Sequence, residues 1–216
     1  MRLRLSLLGL IVAFFAAAAI GVPARAMPAA APADLVRQLV NQAISAIQDK
    51  QETEEQRAAK FRSLLESGFD IPRISRFVLG RYWSSATDQQ RQQFTRLFED
   101  WVVGTYATRF RDYAGETIQV TGTRPETETT SVVLSQFSSP NGAPPAKVEW
   151  HVRKSADSDY KIVDVAVEGV SMALTQRDEI AAVADRSGGT IDGLNQALAQ
   201  KMQQGEAPAA GAAASR

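Results

Sequence analysis

Few side chains in this sequence have the type and spacing needed for catalysis. His151 is the only histidine and the chain has no cysteine, so the usual nitrogen and sulfur ligands of a zinc site are missing. Asp164 and Glu168 lie four residues apart in an alternating stretch, which in a strand separates them by about 13 Å. The two carboxylates of a glycosidase stand roughly 5–9.5 Å apart. With no phosphate loop, HExxH motif or Ser/His/Asp spacing either, the sequence predicts that the protein is not an enzyme.

The longest helical pattern follows Thr87 and Gln90, which form a capping box. Apolar and aromatic residues then recur at spacings of three and four over positions 94–110. This stripe is too wide and too aromatic to pack only against one neighbouring helix, so it predicts a mixture of core and pocket wall. The hydroxyl of Tyr106 would mark the polar end of an otherwise apolar slot. One enzyme alternative stays open, in which Asp164 or Tyr106 acts as an acid or base in a cavity.

From Glu116 the period of the pattern changes to two, which is typical of strands. Turn residues separate neighbouring strands, so we expect an antiparallel meander of four strands at 117–123, 129–137, 147–154 and 160–168. After the last strand, Gly169 breaks the alternation and Ser171 can cap a helix. Because helical patterns lie before and after the strands, the fold class is predicted as α+β, with helices packed on one face of the sheet.

The N-terminus has the pattern of a secretory signal peptide. Arg2 and Arg4 precede an apolar run from Leu5 to Ile20, and Pro23 is followed by the small-residue cleavage pattern Ala24–Arg25–Ala26. An uncleaved anchor is the alternative, but the run is shorter than the ~20 residues of a spanning helix. We therefore expect residues 1–26 to be removed.

The remainder is predicted to be one domain at residues 27–204, followed by a disordered Ala/Gly/Pro-rich tail at 205–216. Residues 27–33 are expected to be a flexible leader, with Asp34 capping the first helix. Removal of Arg2, Arg4 and Arg25 leaves 21 of 24 basic residues against 24 acidic ones, a net charge of −3. Without a basic block, binding of nucleic acid is not expected.

Four stretches resemble, in the same order, the MlaC family, also called the toluene-tolerance auxiliary family. They are V-L-G-R-Y-W-S-S-A-T (78–87), S-P-N-G-A-P-P (139–145), E-G-V-S-M (168–172) and I-D-G-L (191–194). The resemblance spans roughly residues 69–202. It implies a monomeric periplasmic carrier that encloses the acyl chains of a phospholipid between helices and sheet. It also implies transfer between an outer-membrane lipoprotein–porin complex and an inner-membrane ABC lipid transporter. The diacyl phospholipid would be cargo, and no cofactor is expected. A hopanoid-like polycyclic lipid is the alternative cargo.

The candidate lipid-binding residues come from the aromatic stripe, the sheet and the last strand–helix junction: Leu79, Trp83, Phe94, Leu97, Phe98, Trp101, Val102, Tyr106, Val148, Trp150, Val163, Val165, Val167, Val170 and Met172. The match to the family places Val170 at the mouth of the pocket. Arg81 and Arg91 are candidates for a cationic rim that meets a phosphate head group or a partner protein. A solvated surface is the alternative for both arginines.

Overall fold

The computed structural model describes residues 30–48, 52–109, 115–140, 142–155 and 159–204. The predicted signal peptide and the predicted C-terminal tail lie outside the described residues. Among these residues, no helix has the length and apolar character needed to cross a membrane.

Helices precede and follow the sheet in the chain. They are α1 (Ala30–Gln48), α2 (Glu54–Gly68), α3 (Ile71–Leu79), α4 (Asp88–Arg109), α5 (Met172–Arg186) and α6 (Ile191–Gln203), with a 3-10 turn at Gly80–Trp83. The capping box predicted before α4 is confirmed, since the Thr87 backbone N–H donates to the Gln90 side chain (2.9 Å) and the Gln90 backbone N–H to the Thr87 hydroxyl (3.2 Å). The predicted start of α1 is wrong. Asp34 lies inside the helix, which begins at Ala30, and forms an exposed ion pair with Arg37.

The strands form one antiparallel sheet in chain order: β1 (Thr117–Pro125), β2 (Thr130–Ser138), β3 (Ala146–Lys154), β4 (Tyr160–Val167) and β5 (Val170–Ser171). The predicted α+β class and meander are thereby confirmed, with a two-residue fifth strand added. Positive φ angles at Glu168 (49°) and Gly169 (79°) make the tight turn that folds β5 back onto the end of β4.

Strand β4 contains an irregularity that simple alternation does not predict. Its pairing with β3 passes from Asp164 opposite His151 to Ile162 opposite Val152, which leaves Val163 as an extra residue. Paired side chains share a face of the sheet. Ile162 therefore lies on the same face as Val152 and is fully buried in the core, rather than pointing away as alternation predicts.

The protein has two main hydrophobic cores. One lies between α1 and the sheet and includes Val36, Val133, Val152 and Ile162. The other joins α3, α4, α5 and α6 and is built from Val78, Leu79, Phe94, Phe98, Trp101, Ile180, Val183, Ala184, Leu194 and Leu198. Strand β4 leads through the short β5 directly into α5, so the chain passes from one core to the other at that junction.

Candidate functional site

A cavity of about 310 Å³ lies between the helices and the end of the sheet. Its wall comes from α2 to α5, from β3 and β4, and from the segment before α3. The lining residues are Phe61, Leu65, Phe69, Ile71, Ile74, Phe98, Val102, Tyr106, Trp150, Val163, Asp164, Val165, Val167, Met172, Ala173 and Gln176. Most of these side chains are hydrocarbon, so the cavity offers an apolar surface to whatever enters it.

Helix α4 presents part of its aromatic stripe to the cavity. Phe98, Val102 and Tyr106 follow one another at intervals of four, which brings them onto one face of the helix. Other members of the stripe turn into the helical core, where Phe94 stacks on Phe98 with ring centroids 5.9 Å apart. The stripe therefore divides between core and cavity wall.

Trp150 on β3 is held in place by a pair of hydrogen bonds. Its indole Nε1 donates to the hydroxyl of Ser135 on β2 (2.8 Å), and that hydroxyl donates to the carbonyl of Val148 (3.2 Å). Ser135 is itself buried. Because the polar edge of the indole is satisfied within the sheet, its apolar rings are left to form the cavity wall.

The carboxylate of Asp164 ties the end of the sheet to the start of α5. It accepts hydrogen bonds from the backbone N–H of Val165 (2.8 Å), from the hydroxyl of Ser171 (2.5 Å) and from the backbone N–H of Ala173 (2.9 Å). The Ser171 hydroxyl in turn caps α5 by accepting from the N–H of Leu174 (3.0 Å). Asp164 is thus fixed at a helix N-terminus, where a negative charge is stabilised.

The lining and the candidate lipid-binding residues overlap in part. The cavity brings together Phe98, Val102, Tyr106, Trp150, Val163, Val165, Val167 and Met172. The other candidates lie outside its lining: Leu79, Phe94 and Trp101 are buried in the helical core, Trp83 and Leu97 pack against that core, and Val148 is buried in the sheet. Val170 lies on β5 and is 44% exposed.

Eight lining residues were not among the lipid-binding candidates, and most lie on α2, α3 and the segment between them: Phe61, Leu65, Phe69, Ile71, Ile74, Asp164, Ala173 and Gln176. Their helical spacing marks several of them as buried but gives no indication of the element that they face. The segment reaches the cavity because the backbone N–H of Asp70 donates to the carbonyl of Ile162 on β4 (2.9 Å). This long-range contact leaves no local signal in the sequence.

Arg81 and Arg91 are both engaged at the surface rather than at the cavity. Arg81 bonds to the Tyr82 hydroxyl (2.8 Å) and to Asp185 (2.6 Å). The Tyr82 hydrogen bond and the charge of Asp185 raise the pKa of Arg81 above its ordinary value. Arg91 pairs with Asp88 (2.9 Å), donates to the Trp83 carbonyl (3.0 Å) and lies over the Trp83 ring. Neither arginine lines the cavity.

Comparison with known proteins agrees with this architecture. The family model described as MlaC protein matches residues 37–200. The fold is similar to that of the phospholipid-binding protein from Ralstonia solanacearum, solved in complex with a phospholipid, with a TM-score of 0.69 and 26% sequence identity. That match covers 81% of this chain and 98% of the other. Because the family model matches most of its length, this chain belongs to the MlaC family.

Proposed function

We propose that the protein is a phospholipid carrier that takes up the acyl chains of a lipid in the cavity beside β4 and releases them at another membrane. The observation that carries the proposal is the apolar cavity of about 310 Å³ between helices and sheet. A phospholipid-binding protein of the same family and fold supports the choice of cargo.

The energetics favour such a carrier over free diffusion of the lipid. Each methylene exposed to water costs about 0.8 kcal/mol, so a lipid in transit must have its chains covered. The residues of the cavity wall provide that cover with aliphatic and aromatic carbon. Binding and release need no covalent step, and the carboxylate of Asp164, which lines the cavity, is occupied by three hydrogen bonds.

The cavity must widen to hold a complete diacyl lipid. A methylene is close in size to a water molecule, whose share of liquid volume is about 30 Å³. A volume of about 310 Å³ thus holds about ten methylenes, fewer than the two chains of a membrane lipid contain. We therefore propose that loading separates the helices from the sheet.

The proposal includes export to the periplasm and transfer between the outer and inner membranes, with an outer-membrane lipoprotein–porin complex and an ABC-type lipid transporter as partners. The signal-peptide pattern of residues 1–26 and membership of the MlaC family support it. Arg81, which is exposed, stays a candidate for contact with a partner protein.

The direct test is the lipid content of protein purified gently from periplasmic extract. Solvent extraction and mass spectrometry should find diacyl phospholipid at close to one molecule per protein. Protein that carries no lipid and takes up none from phospholipid vesicles would contradict the proposal. Finding a polycyclic lipid in place of phospholipid would leave the proposed carrier function standing but change the identity of its cargo.

A further inference from the structure

Gly104 lies in the interior of α4, where a glycine weakens a helix. Three glycines lie in the α-helices that the structure describes, and two of them have a packing reason. A Cβ atom at Gly68 would lie 2.3 Å from Cδ1 of Leu39, and one at Gly193 would lie 2.1 Å from the carbonyl oxygen of Ser187. Gly104 is exposed, and a Cβ atom there would meet no atom of the described residues within 4 Å.

The backbone does not require a glycine at this position either. Gly104 is not among the glycines with a positive φ angle, and α4 continues beyond it to Arg109. Alanine would therefore fit the same helix, and its higher helix propensity would favour the helical form by about 4- to 5-fold. Because the chain has glycine instead, α4 is easier to bend here than an alanine would allow.

The residue after Gly104 weakens the same turn of the helix. Thr105 is buried, and its hydroxyl donates to the carbonyl of Trp101 (2.7 Å), four residues earlier. A threonine that bonds back to this carbonyl often bends a helix, because the hydroxyl competes with the backbone for the same acceptor. Two neighbouring residues thus make one place in α4 the easiest to bend.

The parts of α4 on the two sides of this place pack against different neighbours. Before it, Phe98 and Trp101 are buried in the core of α3 to α6. After it, the ring of Tyr106 lies near the ring of Phe61 on α2, with centroids 6.3 Å apart and the planes tilted. Both rings line the cavity. A bend at Gly104 would therefore move Tyr106 relative to Phe61 and leave the earlier part of α4 in its core.

We propose that α4 bends at Gly104 during lipid loading, so that Tyr106 moves away from Phe61 and the cavity widens between α4 and α2. This inference rests on the proposed carrier function and identifies the part of the wall that supplies the extra volume. The cavity of about 310 Å³ holds about ten methylenes, so only longer chains require the bend. Chain length therefore separates lipids that fit the closed cavity from lipids that need it to open.

The test compares the affinities of wild type and Gly104→Ala for single-chain lysophospholipids of increasing length. Delipidated protein is titrated calorimetrically, below the concentration at which each lipid forms micelles. Gly104→Ala should match wild type up to about ten methylenes and bind longer chains about 4- to 5-fold more weakly, because alanine resists the bend. Gly104→Ser, with a helix propensity between those of glycine and alanine, should weaken the binding of long chains about 2-fold.

The control is Ser63→Ala, which raises the helix propensity at an exposed position inside α2 and should leave every affinity unchanged. Thermal melting of the lipid-free proteins is a second readout. Alanine stabilises the straight, helical form of α4, so Gly104→Ala should melt roughly 2–4 °C above wild type. Weaker binding of long chains by a more stable protein is not expected from a residue with a merely structural role.

Four outcomes would overturn the inference. In the first, Gly104→Ala binds long chains as tightly as wild type. In the second, it binds short and long chains equally weakly, which indicates obstruction of the cavity rather than a stiffer helix. In the third, Gly104→Ala and Gly104→Ser both melt below wild type, which shows that packing requires the glycine. In the fourth, the affinity of wild type stops rising at about ten methylenes, which shows that the cavity does not widen.

The carrier function stands in each of these cases. It is contradicted separately, if wild type binds no lysophospholipid of any length.

Discussion

Ala173→Phe is the sharpest test of the cavity as the lipid site. Ala173 is 8% exposed and lines the cavity, so a phenyl ring at this position points into it. The backbone N–H that bonds to Asp164 is kept by the substitution. A cavity of about 150 Å³ accommodates a benzene ring, so the new ring would occupy up to about half of the 310 Å³ available.

The expected loss of affinity follows from the volume that the ring removes. About 150 Å³ corresponds to about five methylenes at about 30 Å³ each. Five methylenes excluded from the cavity represent about 4 kcal/mol, which lowers the affinity for phospholipid on the order of 1000-fold. The lipid-free protein should melt close to wild type, because the ring fills space rather than displacing packed atoms.

The control is Leu174→Phe, one residue further along the same helix. Leu174 is 51% exposed, so its ring should lie in solvent and leave both lipid uptake and melting unchanged. Uptake from vesicles and thermal melting are measured on the same preparations. If Ala173→Phe melts like wild type and still takes up lipid fully, the assignment of this cavity as the lipid site is refuted. A melt lowered by several degrees would show overpacking of a rigid core instead.

Four further predictions use other parts of the structure. Asp164→Ala should lower the free energy of unfolding by about 2–3 kcal/mol in urea titrations, because three donors lose their acceptor; a loss below about 0.5 kcal/mol would contradict this role. A hydrogen bond from Tyr82 and the charge of Arg81 lower the pKa of Asp185 below its ordinary value of 3.8. Its contribution to stability is present above that value and is lost as the pH falls through the lowered pKa, so the melting curves of wild type and Asp185→Asn should differ at neutral pH and converge in acid. Trp150→Phe should remove most of the fluorescence change on lipid uptake, with the other two tryptophans as internal reference; an unchanged response would place the lipid elsewhere. Affinity for single-chain lysophospholipids should rise about 4-fold per methylene and keep rising beyond about ten methylenes, whereas a plateau there would show that the cavity does not widen.

The parts of the fold that were predictable depend on signals close together in the sequence. The capping box at Thr87 involves residues three apart and is present as predicted, and the same motif caps α2 at Thr53. The alternating strands and short turns likewise specify neighbour-to-neighbour pairing. Asp34 was misplaced because helix α1 continues N-terminal to it through an Ala/Pro segment, and proline is compatible with a first helical turn.

The candidate site was less predictable because periodicity identifies a buried face but not what covers it. Phe94 and Phe98 belong to one stripe, yet only Phe98 also lines the cavity. Phe61 and Ile74 reach the cavity through the packing of α2 and α3, which no local pattern specifies. Val163 lines the cavity at a bulge in β4, and the register of β4 with β3 sets the position of that bulge.

The location of the cavity between two cores would allow the proposed change in its volume without unfolding. The core of α1 and the sheet, and the core of α3 to α6, are each packed within themselves. If one core moves relative to the other, the apolar surface between the two cores is disturbed more than the interior of either core. That movement exposes lining that an acyl chain then covers, so the entering lipid offsets the cost of opening. The chain passes from one core to the other at the tight turn after β4, among other places, and there Asp164 bonds to Ser171 and to Ala173. The two cores thus stay joined where β4 meets α5, and they can separate along the rest of the cavity wall.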